Sequence, residues 1–101
     1  MGEMTSLLRD YVEETIRRLV DKPDEAKVDV SVSTKTIIVQ IKVAKSDCGK
    51  VIGRSGRNID ALKVLSLAIK NTKFPDDLRR VSLEVLEDET SDFTYKKQGG
   101  E

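Results

Sequence analysis

Two runs of alternating aliphatic residues, separated by a short polar break, constrain this chain more than any other feature. Val28, Val30 and Val32 alternate with Asp29 and Ser31; after Ser33-Thr34-Lys35-Thr36, the residues Ile37, Val39, Ile41 and Val43 alternate with Ile38, Gln40 and Lys42. A period of two sends successive side chains to opposite faces of a strand, so each run buries one face. The short connection makes the pair an antiparallel hairpin, with strands expected at about 27–33 and 36–44. Ile38 on the minor face suggests cover on both sides at that end. Val81, Leu83 and Val85, alternating with Ser82 and Glu84, predict a third strand near 79–87.

Between and before these strands the apolar residues change to helical spacing. Leu8, Val12, Ile16 and Leu19/Val20, widened by Leu7 and Tyr11, predict a helix over about 5–20. Thr5 or Ser6 can cap its start, and Pro23 disfavours helix at the residue before it. Ser46-Asp47 can open a short helix through Ile52; Gly53-Arg54-Ser55-Gly56 interrupts it; a further helix runs over about 57–71. Ile59, Leu62, Leu65/Ser66 and Ile69 form the stripe of that helix, with Ala61, Val64 and Ala68 beside it, and Phe74-Pro75-Asp76-Asp77 is a turn. The order helix, strand, strand, short helix, loop, helix, strand predicts an α+β domain of two layers over 1–87. Helices cover one face of a three-stranded mixed sheet, because a two-helix crossover leaves the second and third strands free to run parallel. Residues 88–101 read as a flexible polar tail.

Composition narrows the chemistry. The chain of 101 residues has no histidine and a single cysteine, Cys48, so the commonest general base and metal ligand are absent and no internal disulfide can form. No nucleophile–base pair and no metal set stand out, so neither an enzyme nor a cofactor or metal is expected. Cys48 reads as a small residue of the short helix, and a lone thiol fits a reducing, cytoplasmic setting. No apolar run approaches membrane length and no secretory leader is recognisable. Formal net charge is zero, but the charge is unevenly spread: residues 1–34 carry net −3, residues 35–73 net +7 and residues 84–101 net −4. A partner responds to that local field and not to the total.

The basic block contains Gly49-Lys50-Val51-Ile52-Gly53-Arg54-Ser55-Gly56-Arg57. Glycines lacking side chains let backbone approach a phosphate. A helix starting directly after them points free amides and its positive dipole end at the same place. Arg54, Arg57 and Lys50 add positive charge, and Val51, Ile52, Ile59 and Val43 are candidates to line an apolar groove for bases. The spacing fits neither G-x-x-x-x-G-K-[ST] nor G-x-G-x-x-G. A tight helix–helix turn in a protein–protein adaptor is the alternative reading.

The segment Val51-Ile52-Gly53-Arg54-Ser55-Gly56-Arg57 resembles the I-G-x-x-G signature of KH domains, and Gly49-Lys50 strengthens the likeness. The element order resembles the type II form of that fold, and the length resembles the bacterial single-KH proteins of the KhpA family. The resemblance implies a loop that grips about four nucleotides of single-stranded RNA, with Gly53, Arg54, Ser55 and Gly56 as the clamp; the residue reading adds Lys50, Val51, Ile52, Arg57 and Ile59 as site candidates around it. It also implies a homodimer, or a heterodimer with a larger KH-containing protein of the KhpB, Jag or EloR type. RNA-chaperone or post-transcriptional work tied to the cell wall and cell shape is a further implication. Ser55 departs from a fully charged loop, and Phe93 and Tyr95 sit in an acidic segment.

Overall fold

The computed structural model describes residues 2–86 and the backbone of 87 and of 93–97. Helix α1 spans Gly2–Leu19 and strands β1 and β2 span Lys27–Val32 and Thr36–Val43. Helix α2 (Cys48–Ile52), helix α3 (Arg57–Lys73), strand β3 (Arg80–Glu87) and strand β4 (Phe93–Lys97) follow. The sheet order is β1-β2-β3-β4. β1 and β2 form the expected antiparallel hairpin, and β2 and β3 run parallel from Thr36↔Arg80 to Val43↔Glu87. This is the α+β, two-layer arrangement of helices on a mixed sheet that the sequence predicts.

One face of the sheet carries Val28, Ile37, Val39, Ile41, Val43, Val81, Leu83 and Val85, all in a single buried cluster with residues of the three helices. From α1 come Met4, Leu8, Val12 and Ile16, an unbroken spacing of four. α1 starts three residues earlier than expected. Thr5 does not cap it: its hydroxyl donates to the Gly2 carbonyl from within the first turn. The chain leaves α1 at Val20 and turns through Pro23–Glu25, as the proline requires. On the open face Gln40 donates to Glu84 across β2 and β3 (3.2 Å). Ile38 is only half-buried there, beside buried Ser82.

α3 buries Ile59, Leu62 and Ser66 of the expected stripe, with Ile69 partly buried against the core, and adds Lys70; Val64 and Leu65 are about half exposed. The buried Lys70 is accommodated because its amine donates to the Asp77 carbonyl in the turn that follows. In the same turn the Asp77 carboxylate takes the backbone N–H, Nε and Nη2 of Arg79 at 3.1, 2.9 and 2.5 Å.

A fourth strand is added where only a flexible polar tail was expected. β4 pairs antiparallel with β3, with a bulge between Val85 and Leu86. It occupies an edge of β3 that would otherwise leave backbone donors and acceptors unpaired, and its Phe-Thr-Tyr core is rich in strand formers. The remainder of that segment, 88–92 and 98–101, lies outside the described residues.

Two consequences are measurable. Ile41, wholly buried at the centre of the sheet, replaced by Ala should lower unfolding free energy in urea by about 2–5 kcal/mol. The Arg79 hydrogen bonds hold the Asp77 carboxyl well below the usual carboxylate range. A depressed folded-state pKa contributes stability that is complete above the unfolded value, about 3.9, and is lost as pH falls through the folded one. The stability difference between wild type and Asp77→Asn should therefore be constant near neutrality and shrink in acid below about pH 4, read from urea midpoints across pH.

Candidate nucleic-acid interface

The loop between α2 and α3 is shaped by three closely spaced residues with positive φ, Gly53, Ser55 and Gly56. α2 ends when the Gly53 N–H bonds the Gly49 carbonyl at 2.8 Å, and Gly53 then adopts φ +77°, ψ 171°. Such a conformation is almost confined to glycine. Space forbids a side chain as well: a Cβ on Gly53 would lie 2.7 Å from Cγ of Asn58 and 2.9 Å from its backbone nitrogen. Ser55 (φ 56°) and Gly56 (φ +75°) are also left-handed, so the chain reverses within Arg54–Gly56, closed by Gly56 N–H on the Gly53 carbonyl at 3.1 Å.

Two polar side chains that sequence reasoning missed hold this turn in place. Asn58 in the first turn of α3 donates from Nδ2 to the Lys50 carbonyl at 2.7 Å, tying α3 back onto α2 across the loop. Asp47, wholly buried, does not cap α2. Its carboxylate accepts the Asp21 and Lys22 backbone N–H groups, both at 3.1 Å, and so fixes the start of α2 to the chain leaving α1. A buried carboxylate demands such donors. Both residues are ordinary polar residues in the sequence, and no local signal marks their long-range partners.

The expected site residues divide into three groups. Gly53, Arg54, Ser55, Gly56 and Arg57 come together, with Arg54, Ser55 and Arg57 exposed. α3 opens at Gly56, which offers no side-chain cap, so the amides of its first turn lie next to these cations, with Asp60 in the same turn. Lys50 is near the loop but engaged: its amine lies 3.3 Å from the Asp21 carboxylate and 3.9 Å from that of Asp47. Val51, Ile59 and Val43 are wholly buried in the core and do not line an open groove, because their positions on α2, α3 and β2 face the packed interior; only Ile52 is partly accessible. Cys48 is buried, its thiol directed at the Ala44 carbonyl. Among the described residues no three His, Cys, Asp or Glu side chains cluster as metal ligands, and no helix is long and apolar enough to cross a membrane. Phe93 belongs to the backbone of β4, as does Tyr95.

Comparison with known proteins matches this architecture. The family model described as the KH domain of KhpA/KhpB matches residues 9–85. The RNA-binding protein KhpA of Chlamydia caviae is 40% identical over 83 residues, which cover 80% of this chain and 99% of the relative. KhpA of Mycobacterium leprae is 41% identical over 66 residues, 65% of this chain and 82% of the relative. No solved structure matches the chain significantly. With the glycine loop, the crossover that carries it and the family match covering most of the domain, the chain belongs to the KhpA/KhpB family of KH-domain proteins.

Proposed function

We propose that this chain binds single-stranded RNA through Gly53–Gly56. The observation that carries the reading is the conjunction at one point of glycine backbone, the uncapped amides of α3 and exposed Arg54 and Arg57. Phosphate oxygens accept from amides and guanidinium groups in just such a setting. The Asn58 and Asp47 hydrogen bonds support it by holding the loop before any ligand arrives, which reduces the ordering cost of binding. The names of the relatives favour RNA as the ligand. With Lys50 engaged by Asp21 and Asp47, Arg54 and Arg57 are the principal contacts, so affinity is modest and sequence preference low.

The chain acts as a dimer in this reading. The face of α3 that bears Ala61, Val64, Leu65 and Ala68 is exposed, and its apolar character supports a self-complementary contact with a second copy or with the KH domain of a larger relative. Two loops on one particle can hold two stretches of RNA, which suits an RNA chaperone or post-transcriptional regulator.

Fluorescence anisotropy with labelled single-stranded RNA tests the first claim. Wild type should bind, and more weakly as salt rises, whereas Arg54→Asp/Ser55→Asp should keep its circular dichroism and lose about tenfold or more in affinity. Equal binding by the folded variant would remove the loop from the site and leave an adaptor role to pursue. Sedimentation equilibrium tests the second: wild type should be dimeric and Leu65→Asp monomeric, with α3 helicity unchanged. A monomeric wild type would refute the homodimer.

A further inference from the structure

The cations of the basic block do not all gather at the glycine loop. β2 and β3 are parallel, β2 leads at its end into α2 and the loop, and α3 runs back from there. The start of β3 therefore lies at the far end of α3, about 25 Å from the loop for 17 helical residues. At that end the β1–β2 turn, the last residue of α3 and the turn before β3 enclose an open cavity of about 1250 Å³. Phe74, Pro75 and Leu78 supply its apolar surface, with Leu78 90% exposed, and Lys35, Lys73 and Arg80 bring positive charge. No described residue pairs with those three cations within ion-pair distance. The acids of the lining are Asp76 and Asp77, and Asp77 is already neutralised by Arg79.

The walls are held from within. The amine of buried Lys70 donates to the Asp77 carbonyl, Asp77 N–H donates to the Phe74 carbonyl at 3.0 Å, and Arg80 N–H donates to the Lys35 carbonyl at 3.0 Å. Ser33 Oγ and N–H both donate to the Thr36 carbonyl, closing the opposite turn. These contacts fix the positions of the apolar surface and of the backbone that carries the cations.

The geometry points to this cavity as a second contact for single-stranded RNA, distinct from the glycine loop and engaged only by strands longer than the loop's own footprint. The inference rests on the reading of this chain as a binder of single-stranded RNA. A planar base offers an apolar face suited to Phe74, Pro75 and Leu78, and its phosphates suit Lys35, Lys73 and Arg80; aromatic or aliphatic surface ringed by cations is how sequence-tolerant strands are held. An acidic peptide would use the cations but leave the exposed apolar surface unmatched, so RNA is favoured.

The test compares two oligonucleotides, of about 4 and about 16 nucleotides, spanning the footprints of a KH loop and of an extended strand site. Wild type, Lys35→Glu/Lys73→Glu/Arg80→Glu, Leu78→Ser and the loop variant Arg54→Asp/Ser55→Asp are titrated with each, with circular dichroism as the control for folding. The triple variant should bind the short strand as wild type does but the long one about tenfold more weakly, with the log–log salt slope reduced by up to about 2. Leu78→Ser, a change at an exposed site, should weaken only the long strand, and by less. Unchanged long-strand affinity in both distal variants, with the loop variant defective, overturns the second contact and leaves the loop reading intact. Long-strand binding lost in the distal variants but retained in the loop variant supports the second contact and removes the loop. Absence of RNA binding by wild type overturns both.

Discussion

The parallel pairing of β2 with β3 is the constraint from which the rest of the molecule follows. Parallel neighbours cannot be joined by a tight turn; the chain must leave one end of the sheet and return to the other. Here α3 makes the return, and α2 with the loop occupies the end at which β2 finishes. The reversal between two closely packed helices leaves no room for a side chain at Gly53, whose Cβ would meet Asn58. The same close turn exposes the first amides of α3 and the side chains of Arg54 and Arg57. What the crossover requires sterically is also what a phosphate needs, so the fold and the proposed site share one set of atoms.

The electrostatics follow from this layout. A chain of zero net charge concentrates its basic residues in the hairpin and crossover, and the structure sorts them. Lys70 is buried and spent on the turn after α3; Lys50 is drawn to Asp21 and Asp47. Exposed Arg54 and Arg57 lie at the start of α3, and exposed Lys35, Lys73 and Arg80 lie at its far end. Asp47, the buried carboxylate, joins the exit of α1 to the entry of α2, so the chain leaving the long N-terminal helix helps to brace the helix that leads into the loop.

Much of this is legible in the residues themselves. Aliphatic alternation in β1, β2 and β3 reports burial directly, and the glycine pair at 53 and 56 reports positive-φ backbone that favours glycine. The misreadings have physical causes. α3 buries Lys70 while leaving Val64 and Leu65 about half exposed, the reverse of their hydropathy, because the partner of Lys70 lies in a turn seven residues on. Val51 and Ile59 look like groove residues from their nearness to the loop, yet helical geometry turns them into the core. Asp47 and Asn58 act through partners 25 and 26, or 8, residues distant, which no local pattern encodes. β4 is a short strand among polar neighbours, and its pairing depends on an edge made available by β3.

The central claim is that the loop of the crossover is where nucleic acid is held. Titrating single-stranded RNA into isotopically labelled protein and following backbone amide resonances tests it most directly. The account predicts the largest shifts at Gly53 through Asn58 with a strand of about four nucleotides, and added shifts around Phe74 to Arg80 only with longer strands. Shifts that leave these amides unmoved while perturbing other surfaces, in a protein that demonstrably binds the RNA, would contradict it.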